Sequence, residues 1–79
     1  MRYYFDMVEG DEIASDEEGM ELPDIPAAQE EAAIALAAWA KAMRSDEMMS
    51  GLIKISIEVR DNAGLLISLR FDFEDRTLQ

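Results

Sequence analysis

The stretch "GLIKISIEVRDNAGLLISLRFDFE", residues 51–74, holds two apolar/polar alternations separated by a short polar segment, and this period of two constrains the fold more than any other feature of the chain. In the first run Ile53, Ile55, Ile57 and Val59 share one face, with Lys54, Ser56, Glu58 and Arg60 on the other. In the second, Leu65, Ile67, Leu69, Phe71 and Phe73 alternate against Leu66, Ser68, Arg70, Asp72 and Glu74. Two such runs joined by "DNAG" predict a β-hairpin with one apolar face. The polar face mixes signs, so it reads as cross-strand pairing among Lys54, Glu58, Arg60, Arg70 and Asp72 rather than as a binding surface.

An apolar sheet face needs a cover. The segment "LPDIPAAQEEAAIALAAWAKAMR" supplies one: Pro23 stops a strand, Asp24 can accept hydrogen bonds from free helix N–H groups, and Pro26 suits a first turn. Glu30 and Glu31 are expected near the positive end of the dipole. From 25 to 44, Ala28, Ala32, Ala35, Leu36, Trp39 and Met43 recur at helical spacing and form a stripe. The alanines allow close approach to a sheet, and Trp39 reads as a core residue before a ligand-stacking one. Ile34 points away from the stripe, beside Glu30, Ala38 and Lys41, either as an ordinary exposed residue or as a partner contact. In "SDEMMSG", Ser45 and Asp46 end the helix, Met48 and Met49 cover a core edge, and Gly51 opens the next strand.

At the N-terminus "RYYFDMV" places Tyr3, Phe5 and Met7 on one face and Arg2, Tyr4, Asp6 and Val8 on the other, the pattern of a strand. Glu9, Gly10 and Asp11 turn the chain, and "EIAS" is a short return strand with Ile13 inward. The sum is hairpin, helix, hairpin. The expected fold is α+β, an antiparallel sheet of three or four strands with one helix packed on one face, in one domain over residues 1–79. Tyr4, Val8 and Leu66 fall on the face without a helix, either as ordinary isolated exposed apolar residues or as a face buried in a homodimer, which is the expectation.

The same inventory restricts chemistry. The chain has no histidine and no cysteine, which removes the usual nucleophilic triads, disulfides and structural zinc sites. The four glycines are scattered one per turn, without a phosphate-cradling loop. No catalytic, cofactor-binding or metal-ligating residue is assigned, and the expectation is a protein that is not an enzyme and needs no cofactor. A cysteine-free chain fits the cytoplasm. The N-terminal residues carry no signal-peptide pattern, and Gln29, Glu30, Glu31, Lys41 and Arg44 break the alanine-rich segment as a membrane span.

Seven basic and eighteen acidic residues give a net charge of −11, which repels nucleic acid. Residues 1–24 concentrate it, with nine acidic residues against one basic. Asp11, Glu12, Asp16, Glu17 and Glu18 are hard oxygen ligands, yet their spacing does not match an EF-hand loop. No obvious neighbour desolvates Asp16 or Glu18 for acid/base work. The loop "DEEG" is therefore read as a solvated connector, with weak divalent-cation binding as the alternative. Its structural weight is expected at its ends: Gly19 at a positive φ, and Asp24 as the cap.

Together "RYYFD", "DEEGMELPD" before an alanine-rich helix, and "IEVRDNAG" before an apolar strand resemble a family of small uncharacterised bacterial proteins, a domain of unknown function common in alphaproteobacteria such as rhizobia. The likeness covers nearly the whole chain and implies a bacterial source and a compact domain, with no established activity. "DEEG", "PDIP" and "EEAA" are also similar to the turn, proline segment and helix start of HicB-type antitoxins. The chain departs from that pattern: no glycine follows Pro26, the threonine-glycine loop is absent, and an appended DNA-binding element is not expected. The functional expectation is a small acidic interaction module, homodimeric, with a basic protein as possible partner. An antitoxin-like inhibitor of a basic ribonuclease is the alternative.

Overall fold

A computed structural model of the chain describes residues 1–44 and 52–74. The elements are β1 (Arg2–Glu9), β2 (Glu12–Ala14), β3 (Met20–Glu21), α1 (Ile25–Arg44), β4 (Leu52–Asp61) and β5 (Gly64–Glu74). All pairings are antiparallel, in the order β2-β1-β4-β5, and β3 joins the same outer edge of β1 that β2 occupies. The α+β fold is as expected, with five strands among the described residues rather than three or four. The additional strand, β3, is two residues long, too short for any periodicity.

The helix spans the expected residues, and its first turn contains no acidic residue, so Glu30 and Glu31 fall beyond the strongest part of the dipole. Asp24 serves that end instead: its Oδ1 accepts from Ala27 N–H at 3.0 Å, and its carbonyl accepts from Ala28 N–H at 3.2 Å. The buried stripe is Ala28, Ala32, Leu36 and Ala40, with Trp39 and Met43 packed partly against the core. Ala35, expected inward, is exposed, while Ala40 takes its place on the i, i+4 row. Ile34 points to solvent as expected. No helix among the described residues is long and apolar enough to cross a membrane.

Below the helix, Tyr3, Ile55, Ile57 and Val59 are fully buried, and Phe5, Leu22, Ile67, Leu69, Phe71 and Phe73 are partly so. The alternation read from the sequence places these residues correctly, with two exceptions. Ile13 sits opposite Val8, on the sheet face away from the helix, and is exposed. Near the hairpin turn, Val59 faces Ile67 and Arg60 faces Leu65, so Leu66 is an extra residue in β5. Such a bulge reverses the alternation around it. Leu65 is consequently exposed opposite Arg60, and Leu66 lines a depression with Tyr3, Pro23 and Ile25 on the helix side. The expected roles of Ser45, Asp46, Met48, Met49 and Gly51 lie outside the described residues, as does the side chain of Ile53.

Candidate functional site

The outer edge of β1 is covered in two places. Met7, Val8 and Glu9 pair with β2, and Arg2 and Tyr3 pair with β3. Between them the loop "SDEEG" runs along the strand, and Asp16 fills the gap. Its Oδ2 accepts from Phe5 N–H at 3.1 Å, and its Oδ1 accepts from Glu18 N–H and Gly19 N–H, each at 3.1 Å. One carboxylate thus replaces a missing strand partner and closes the loop's own turn. Partial burial raises the Asp16 pKa, but the N–H donors of Gly19, Phe5 and Glu18, with Arg60 nearby, outweigh it and hold the group below the usual carboxylate range.

The loop is fastened from below as well. Asp6, a buried carboxylate in the middle of β1, accepts from Asp16 N–H at 2.9 Å and from Arg60 Nε at 2.8 Å. Arg60 Nη2 also donates to the Asp16 carbonyl at 3.0 Å, and its guanidinium lies 4.6 Å from the centre of the Tyr4 ring. The Asp6 hydrogen bond is the main reason the Arg60 pKa is raised. Gly19 adopts φ +75 as expected, and a Cβ there would come within 2.9 Å of both Arg2 Cγ and Tyr4 Cε2. Tyr4 is therefore covered by its own chain.

"DEEG" is thus not merely a solvated connector. Asp16 is a structural anchor, whereas Glu17 and Glu18 are exposed. Among the described residues no three acidic side chains come together in a way that could hold a metal ion. Sequence reasoning gives Asp6 no partner and places Arg60 only among the cross-strand pairs of the hairpin, although a signal is present: an aspartate inside an aromatic strand is unfavourable unless paired, which directs attention to an arginine on a neighbouring strand. Of the residues expected to pair, Lys54 lies opposite Asp72 in register, Arg70 reaches Asp72 along its own strand at 3.7 Å, and Arg60 turns to Asp6 on β1.

The opposite sheet edge is β5, and no described strand lies beyond it. A helix is about 10 Å wide and strands are about 4.8 Å apart, so a single helix covers roughly two strands. A groove of about 690 Å³ remains between α1 and β5, floored by Leu36, Ala40, Leu69 and Phe71, with Lys41 and Arg70 also contributing to its lining. Phe71 and Phe73 stack with ring centres 6.3 Å apart along this edge.

A family model described as "Domain of unknown function (DUF6894)" matches residues 2–72. No curated protein and no solved structure matches the chain.

Proposed function

Because the chain belongs to the DUF6894 family, a domain of unknown function, we propose its role from its own surfaces: a small, acidic, non-enzymatic interaction module that binds a second copy of itself and a basic protein partner. The observation that carries this reading is the apolar α1–β5 groove, which opens beside a sheet edge that no described strand covers. Sheet edges and apolar grooves are the features that peptide and protein partners use. The absence of histidine and cysteine from the sequence supports binding over catalysis and fits the cytoplasm.

The second partner follows from charge. Asp16 and Asp6 fix the loop backbone, so Glu17 and Glu18 are displayed from a held position within a protein of net charge −11. A field of that sign speeds encounter with cationic proteins. A basic ribonuclease restrained by an antitoxin-like mechanism is one such partner.

Affinity capture from the native host, read by mass spectrometry with wild type and a Glu17→Gln/Glu18→Gln variant, tests the reading. Enrichment of one basic protein that the variant loses is the expected result. Equal recovery with both baits, or only salt-insensitive background, removes the basic partner.

A further inference from the structure

The two edges of the sheet are treated differently. The β1 edge is closed by β2, by β3 and by the Asp16 carboxylate between them. Among the described residues no strand covers the β5 edge; β5 contains no proline, and its bulge lies at Leu66, near its start. From Ile67 onward the strand runs regularly opposite β4. Its helix-side residues Leu69, Phe71 and Phe73 are only partly buried, and Arg70 and Asp72 are exposed on the other face.

We propose that β5 pairs antiparallel with β5 of a second copy about a two-fold axis at Phe71, so that Arg70 of each copy faces Asp72 of the partner subunit. This deepens the self-association stated above and rests on it. Two-fold antiparallel pairing of a strand with itself must centre on a residue, and opposed residues share a face. Charge then selects among the centres. Centring on Arg70 sets two arginines face to face, and centring on Asp72 opposes two aspartates. Centring on Leu69 leaves Arg70 opposite Ser68 of the partner subunit, with no charge partner. Centring on Phe71 forms two Arg70–Asp72 cross-strand pairs, and Lys54, opposite Asp72 in β4, adds to the positive side.

The helix side agrees with the same centre. Phe71 meets Phe71 of the partner subunit, and Leu69 meets Phe73 of the partner subunit, joining the two stacked phenylalanine ridges into one apolar band. That band lies beside both α1–β5 grooves, and pairing places a partner strand along the open side of each.

The test is a charge exchange followed by sedimentation equilibrium. Arg70→Asp and Asp72→Arg each replace both attractive pairs by repulsive ones, and each is expected to weaken the dimer by about tenfold or more. Mixed together, the two variants restore opposite charges at both pairs, and a heterodimer is expected near wild-type affinity. Both positions are exposed, so unchanged circular dichroism is the expected control. A second probe uses the cysteine-free chain: Phe71→Cys lies on the axis and is expected to cross-link with itself on mild oxidation, whereas Ser68→Cys is not. A dimer indifferent to the exchange and linked equally by both cysteines overturns this register while self-association stands. A wild-type monomer at high concentration overturns self-association as well, leaving the basic partner to the capture experiment.

Discussion

Arg60 on β4 reaches diagonally to Asp6 on β1, with Nε 2.8 Å and Nη2 3.4 Å from the two carboxylate oxygens, although the ladder sets Arg60 opposite Tyr4 and Asp6 opposite Glu58. The pair converts a charge inside a strand into the floor on which the acidic loop rests. Arg60→Lys keeps the charge but loses the two-point fork. The expected result is a lower urea midpoint for Arg60→Lys. Adding Asp6→Asn to it should cost less than Asp6→Asn costs alone, because the two groups form one unit. Additive losses would show that they act independently.

The acidic residues of the loop are not equivalent. Asp16→Ala leaves three N–H groups without their acceptor, and a cost of about 1–3 kcal/mol is expected. Asp24→Ala removes the helix cap and should cost about 0.5–2 kcal/mol. Glu17→Gln is exposed and relieves like-charge repulsion, so its stability should equal or slightly exceed that of wild type. Urea melts of the three variants check the ranking.

Gly19 and Gly10 both have positive φ, at 75 and 58, but only Gly19 is crowded. Gly10→Ala meets no atom within 4 Å and should cost on the order of 1 kcal/mol for its backbone conformation alone. Gly19→Ala adds contacts of 2.9 Å to Arg2 and Tyr4 and 3.0 Å to the Tyr3 carbonyl, so it should be clearly the worse of the two in thermal melts. Similar melting temperatures would contradict the tight seating of the loop.

Asp16 also gives the loop a pH signature. Its folded pKa lies below the unfolded value of about 3.9, so its stabilising contribution is present above that value and is lost as pH falls through the folded pKa. The stability difference between wild type and Asp16→Asn is therefore expected to be constant near neutrality and to shrink below about pH 4. Taking the difference cancels the general relief of repulsion on acidification. A difference that grows on acidification would reverse the sign of the argument.

The sheet and helix were legible because each repeats a simple period long enough to read: α1 over twenty residues, β4 over ten and β5 over eleven. What escaped is non-local. β3 exists only because Arg2 and Tyr3 lie opposite Glu21 and Met20, and the direction of Leu66 depends on a bulge that no alternation announces. Asp16 looked like its acidic neighbours because its partners, Phe5 N–H and the backbone of Glu18 and Gly19, have no side-chain signature. The outer-face dimer suggested by Tyr4, Val8 and Leu66 loses two of its three supports, since Arg60 covers Tyr4 and Leu66 lies on the helix side.

The most direct measurement of the central claim, that the β5 edge is the docking surface, is amide hydrogen exchange at micromolar and at near-millimolar protein. Exchange of the amides over residues 67–73 should slow as concentration rises, while those of β2 and β3, on the opposite edge, stay unchanged. Exchange along β5 that is independent of concentration, or protection that grows instead at β2 and β3, would contradict it.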